Sequence, residues 1–311
     1  MKRRVAARLP QMAAGQTLLE YLSSRFAYHS CDEWQEKIRS GEIALDGNTV
    51  VDTQIILQEN MLLEYFPANL IEPAVNSNYR IIFEDEYLLV IDKPGNLPVH
   101  PAGPYFSNTL WAMLSDAGYG KVHLVNRLDR ETSGLLIAAK RGDIAGEISR
   151  NLAEMEKCYY VLVHGVFSEE RNAKGFLQDD TVSPIKKKQK FVFELADSGE
   201  KAQSAETLFT PLASNEKFTL LLAKLRTGRM HQIRATLHAM NYPVVGDKLY
   251  GLDEQFYRRF ALDTLSEADR RAMILERQAL HCCKLSFVHP VNGKTLSFES
   301  ALPQEIAILL S

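Results

Sequence analysis

A chain of 311 residues is too long for one small module and accommodates either one large domain or two of unequal size. With 46% hydrophobic and 24% charged residues, 17 Gly and 12 Pro, its composition is globular and excludes a largely disordered or collagen-like protein. The 36 Lys and Arg against 39 Asp and Glu leave a net charge of −3, so overall charge gives no support to polyanion binding.

The longest apolar stretches, 88–91 and 135–139, fall far short of the roughly 20 residues of a membrane helix, so no membrane association is expected. The start Met1-Lys2-Arg3-Arg4 is basic like a signal peptide, but Pro10, Gln11 and Gly15 interrupt the apolar region that should follow; a cytoplasmic chain is the expectation. Cys31, Cys158, Cys282 and Cys283 suit neither a disulfide framework nor a CxxC metal pair and are expected as reduced thiols.

Over 17–25 the apolar positions Leu18, Leu19 and Leu22, continued by Phe26, recur at helical spacing. Ser30 is placed to cap a second helix carrying Trp34 and Ile38, closed by Gly41. Residues 43–50 read as strand, tight turn at Asp46-Gly47, strand, and 62–65 as a further strand. Pro67 and the polar stretch 73–78 read as a linker. The predicted division is a small α+β module with its linker over 1–75 and a larger domain over 76–311. In the larger part, 81–83 and 88–92 predict a hairpin, 108–114 a helix, 134–140 a buried strand and 144–155 a helix. Strands are expected over 159–163, 205–210 and 218–225, helical structure over 253–276, and a last hairpin over 284–288 and 294–299. Strands without regular helix alternation predict an α+β fold with a mixed, largely antiparallel sheet and flanking helices.

Familiar cofactor and nucleophile motifs fail. Gly293-Lys294-Thr295 ends like a phosphate loop, but position 288 is Val where glycine is required. There is no HExxH and no GxSxG, and the eight histidines are scattered. Nothing asks for a metal or a nucleotide cofactor, and none is expected. Three segments remain. Asn126-Arg127-Leu128-Asp129-Arg130-Glu131-Thr132-Ser133-Gly134 places an acid between two arginines ahead of a buried strand. Its plain reading is a solvated turn; a functional carboxylate flanked by cations is held ionised, hence nucleophilic or electrostatic in role. Thr227-Gly228-Arg229-Met230-His231-Gln232-Ile233-Arg234 is a surface turn leading into a helix from Arg234, or a site. Lys157-Cys158-Tyr159-Tyr160 begins a strand, where an aromatic is ordinarily core. Basic runs at Lys2, Arg3, Arg4 and Arg8, over 186–190, and between Lys224 and Arg234 permit local polyanion contact, although each alone reads more often as a solvated face.

Taken together, these segments resemble the RluA-type pseudouridine synthases. The family signature H-R-L-D-x-x-T-S-G is matched over 126–134 at all but its first position. Its K-x-Y element matches Lys157 and Tyr159, and T-G-R-x-H-Q-[IL]-R matches 227–234, followed by Pro243-Val244-Val245-Gly246-Asp247 and Tyr250-Gly251. Asp92-Lys93-Pro94-Gly95, Val99-His100-Pro101, Leu280-His281 and His289-Pro290 extend the likeness from about residue 80 to the end. Asn126, Thr236 and Asn241 depart from the family pattern, outside the positions assigned to bond-making. The N-terminal module resembles, less specifically, a small RNA-binding domain shared with a small-subunit ribosomal protein.

The resemblance implies an isomerase that breaks a C–N glycosidic bond, turns the uracil and makes a C–C bond to the same ribose, a reaction without net gain or loss that needs no cofactor. It makes Asp129 the essential carboxylate, Arg234 its partner and Tyr159 the aromatic that stacks on the base. Arg127 matches the residue that fills the space of an extruded base, and Arg229, His231 and Thr132 are candidates for holding substrate. The implied partner is RNA, ribosomal RNA favoured and transfer RNA open, with a monomer as the default. A non-catalytic RNA-binding protein on the same fold remains an alternative, against which the intact Asp129, Tyr159 and Arg234 argue. A hydrolase working through Asp129 lacks the second carboxylate that glycoside hydrolysis ordinarily uses.

Overall fold

A computed structural model describes residues 5–26, 29–67, 72–195 and 202–311; Lys2, Arg3 and Arg4 of the basic N-terminal run lie outside the described residues. The chain divides into two compact units, Met1–Pro73 and Ala74–Ser311.

The first unit contains β1 (Val5–Arg8), α1 (Leu18–Arg25), α2 (Cys31–Arg39), β2 (Ile43–Leu45), β3 (Asn48–Val50) and β4 (Leu62–Tyr65). Both helices open on a reciprocal cap: the Thr17 and Ser30 hydroxyls accept from the Glu20 and Glu33 amides, and those glutamates accept from the cap amides. The antiparallel sheet runs β1-β4-β2-β3 and encloses Leu18, Leu22, Trp34, Ile38 and Ile43 with the helices. The Trp34 indole N–H donates to the Phe26 carbonyl at 3.0 Å, satisfying the one polar atom this side chain carries into the core. The strand absent from the sequence reading is β1, whose four residues are all exposed and carry no alternating apolar signal.

The second unit contains β5 (Arg80–Glu84), β6 (Leu88–Lys93), α3 (Leu110–Leu114), β7 (His123–Leu124), β8 (Ser133–Ala139), α4 (Gly142–Arg150) and β9 (Glu156–His164). It continues through β10 (Arg171–Asp179), β11 (Gln189–Val192), β12 (Gln203–Ser214), β13 (Phe218–Leu225), α5 (Gln232–Ala239), α6 (Gln255–Ala261), α7 (Glu267–Met273), β14 (Leu280–Val288), β15 (Thr295–Glu299) and α8 (Gln304–Ala307). One sheet runs β11-β10-β12-β13-β9-β14-β8-β6-β5, with β15 added to β14 and β7 to β8. Every pairing is antiparallel except β8 with β14, so the fold is the mixed, largely antiparallel α+β arrangement expected. That parallel contact sets Ser133 beside His281 and Gly134 beside Cys282. Gly134 has φ +106°, and a Cβ there would collide with the Cys282 backbone, so only glycine lets the two strands meet. All seven residues of β8 are buried, the mark of a strand covered on both faces.

Local chemistry corrects several expected boundaries. The helix expected over 144–155 stops at Arg150, and residue 156 already belongs to β9. Helical structure over 253–276 breaks into α6 and α7, because Asp263 turns left-handed and Ser266 caps a new start. The helix expected from Arg234 begins at Gln232, on a His231 held at φ 57°. Among the described residues, no helix is long and apolar enough to cross a membrane.

Candidate active site

The loop entering β8 carries Asp129, the middle of β9 carries Tyr159, the turn into α5 carries Arg229 and His231, and the first turn of α5 carries Arg234. Tyr159 stands opposite Ala223 of β13 and Cys282 of β14, deep in the sheet, which fixes its backbone on both sides. An open cleft of about 390 Å³ is lined by Arg127, Asp129, Thr132, Tyr159, His231 and Arg234, with Leu225, Ile233 and Leu280 among its apolar walls. Segments 105 residues apart in sequence thus converge on one space.

Arg234, 7% exposed, donates through Nη1 to Asp129 Oδ2 at 2.7 Å. Its Nε and Nη2 both go to Asp247, to Oδ2 at 2.6 Å and Oδ1 at 2.8 Å. Asp247 Oδ1 also accepts the Leu249 and Tyr250 amides, each at 2.9 Å, so this buried carboxylate has a full set of donors. Burial pushes the Asp129 carboxyl up, but the Arg234 charge, aided by His231 and by bonds from Arg234 and Gln278, holds it down at about 2. The side chain of Asp129 keeps 32% of its surface open, so a carboxylate ionised at neutral pH faces the cleft. Burial pushes the Tyr159 phenol well up, leaving it neutral.

Gln232 knits the turn to the sheet. Its Oε1 accepts from Thr227 Oγ1 at 2.8 Å and from the Arg229 amide at 3.0 Å, while its Nε2 donates to the Glu206 carbonyl at 3.1 Å and to Thr207 Oγ1 at 2.9 Å. His231 Nδ1 lies 2.9 Å from the Tyr250 hydroxyl, and its Nε2 lies 3.8 Å from Asp129 Oδ1. Burial and the Arg234 charge push the His231 imidazole down to about 4, so it is neutral at pH 7. The ring of Tyr250 lies under the Arg234 guanidinium, 5.0 Å from its centroid.

The candidates named from sequence gather here with different freedoms. Arg127 is exposed, and its guanidinium makes no hydrogen bond or ion pair among the described residues. Arg229 is exposed and donates through Nε to the Ser204 carbonyl at 3.3 Å. Thr132 is buried, and its hydroxyl accepts from Gln278 Nε2 at 2.6 Å. Sequence reasoning missed Gln278, which also donates to Asp129 Oδ2 at 3.3 Å across 149 residues of chain. Asp247 and Tyr250 stood in the family match with no role attached. Lys93 is another buried support: its ammonium donates to the Pro94, Leu97 and Arg130 carbonyls at 2.8, 3.0 and 3.2 Å, pinning the residue next to Asp129.

The RNA pseudouridylate synthase family model matches residues 87–239. A ribosomal large subunit pseudouridine synthase D from Pseudomonas aeruginosa is 30% identical over 317 residues, covering 98% of this chain and 94% of the relative. An uncharacterised RNA pseudouridine synthase from Synechocystis sp. is 33% identical over 75% of this chain and 79% of its own length. Among solved structures, human RNA pseudouridylate synthase domain containing 4 aligns with a TM-score of 0.56 at 22% identity, over 73% of this chain and 90% of that one, and so shares the fold. The chain belongs to the RluA-type pseudouridine synthase family and is an RNA pseudouridine synthase.

Proposed function

Proceeding from that membership, we propose that the enzyme isomerises uridines of structured RNA in the cytoplasm, with large-subunit ribosomal RNA preferred to transfer RNA. The preference follows relatives such as the Pseudomonas aeruginosa and Zymomonas mobilis proteins, each named ribosomal large subunit pseudouridine synthase D. The observation that carries the reaction is Asp129: partly open to the cleft, held ionised by Arg234 at 2.7 Å, and lining the same cleft as Tyr159.

A base within a folded RNA cannot reach this cleft unless it leaves its stack, so the target nucleotide flips out. Arg127, exposed and unpaired beside Asp129, occupies the space left behind. Tyr159 offers an aromatic face to the uracil, and Leu225, Ile233 and Leu280 help to exclude water, which strengthens every charge interaction inside. The Asp129 carboxylate then attacks the sugar or otherwise stabilises its cationic transition state as the N1–C1′ bond breaks. The uracil turns, C5 bonds to C1′, the hydrogen of C5 leaves as a proton, and N1 ends protonated. Arg229 holds substrate at the rim and His231 does so inside the cleft beside Asp129, while Thr132 supports the Asp129 loop through Gln278. The N-terminal unit supplies additional RNA contact.

Because C5 loses its hydrogen, tritium release from RNA labelled at C5 of uridine reports the reaction. Ribosomal and transfer RNA from a strain lacking the protein are the substrates. Release confined to ribosomal RNA is expected; release from neither RNA, with binding retained, would leave a non-catalytic binder.

A further inference from the structure

The two oxygens of Asp129 are not equivalent. Oδ2 accepts from Arg234 Nη1 at 2.7 Å and lies 3.3 Å from Gln278 Nε2. Among the described residues no hydrogen bond reaches Oδ1, and His231 Nε2 lies 3.8 Å from it, beyond hydrogen-bond distance. Oδ1 is therefore the oxygen left free to act.

The hydrogen on the facing imidazole can be placed by counting donors. The Gln189 amide donates to the Tyr250 hydroxyl at 2.7 Å, so that hydroxyl already accepts one bond. Its own hydrogen has one neighbour among the described residues, His231 Nδ1 at 2.9 Å. Tyr250 is 1% exposed, and burial pushes its phenol up, so the hydrogen is present and out of reach of solvent. Donation from Tyr250 to Nδ1 satisfies it; the opposite tautomer would leave a buried hydroxyl hydrogen without an acceptor, at a cost of about 1–3 kcal/mol. The neutral imidazole is thereby fixed with its hydrogen on Nε2, directed at the gap beside Oδ1.

We propose that His231 Nε2–H donates to the 2′-hydroxyl oxygen of the target ribose, making His231 the residue that reads ribose at this site, with Tyr250 as the positioning residue that sets its tautomer. This rests on the reading of Asp129 as the carboxylate that works on the sugar. Whether Oδ1 addresses C1′ or the hydrogen on C2′, the 2′-hydroxyl oxygen lies within two bonds of the carbon concerned, so a donor 3.8 Å from Oδ1 is in range of it. That hydroxyl is the group by which a protein distinguishes RNA from DNA.

The test uses an RNA fragment spanning a uridine that the wild-type enzyme modifies, made with ribose or with 2′-deoxyribose at that one position. His231→Asn is the suitable variant, since asparagine tolerates the left-handed backbone at φ 57° but is too short to reach the sugar. Wild type should lose roughly tenfold in kcat/KM on the deoxy substrate, and His231→Asn should lose roughly tenfold on ribose and nothing further on deoxyribose. Equal losses from the variant on both substrates would overturn the proposal. Independently, ¹⁵N NMR of the wild-type protein should show a pyrrole-type Nε2 and a pyridine-type Nδ1 for His231, a pattern that Tyr250→Phe disturbs; the reverse assignment in wild type would overturn the relay. Absence of any product from wild type on the ribose fragment would count against the functional reading instead, and leaves the tautomer to be read by NMR alone.

Discussion

Asp247 grips Arg234 by a two-point fork, Nε to Oδ2 at 2.6 Å and Nη2 to Oδ1 at 2.8 Å, leaving Nη1 to face Asp129. The fork fixes the plane of the guanidinium, and with it the direction of the remaining bond to the open carboxylate. A single ammonium cannot reproduce that division. Arg234→Lys is therefore expected to lose roughly 10²-fold or more in kcat with RNA affinity nearly kept. Arg234→Ala leaves the fully buried Asp247 uncompensated and should lower stability by about 3–5 kcal/mol, read from denaturant midpoints. Wild-type turnover by Arg234→Lys would show that the fork has no part in catalysis.

The acid side of the pH profile follows from the same pairing. Asp129 sits at about 2 in the folded protein against an ordinary 3.8, so its contribution to stability is present above 3.8 and is lost as pH falls through 2. Wild-type single-turnover rates should show no acid limb between pH 8 and about 5. Gln278→Glu sets a second carboxyl where an amide now lies 3.3 Å from Oδ2, and like charges resist ionising together. The variant should acquire an acid limb that wild type lacks; identical profiles would contradict the placement of Gln278.

Gly134→Ala tests the frame on which the Asp129 loop is mounted. Its φ of +106° and the collision of any Cβ with Cys282 predict a loss of at least about 1–3 kcal/mol from backbone strain alone. Thermal unfolding should shift down by roughly 2–4 °C for each kcal/mol lost. An unchanged Tm would mean that β8 and β14 do not approach as described.

Much of this architecture is legible in the residues. The strands over Leu62–Tyr65 and Phe218–Leu225 are bounded in the structure as the alternation and turn residues predict, and Ser30 caps α2 as its type and position require. What escapes reading has physical causes. The buried face of β10 is Ala173, Gly175 and Leu177, too small to give an apolar alternation, and β11 begins inside a lysine-rich run. Within the site, Asp129 and Arg234 stand out because each sits in a dense local motif. Gln278 does not: its partners are 146 and 149 residues away, and a lone amide near the start of a strand carries no signal until the fold brings it to Thr132 and Asp129. The free oxygen of Asp129 and the tautomer of His231 likewise exist only in three dimensions.

The most direct test of the account is Asp129→Asn. The amide matches the carboxylate in shape and keeps an oxygen for Arg234, but it loses the charge that the cleft holds in place. The variant should fold with a Tm close to wild type, bind RNA with a similar Kd, and form pseudouridine at least roughly 10³-fold more slowly in single turnover. Turnover within about tenfold of wild type, on RNA bound equally well, would contradict the assignment of the reaction to Asp129.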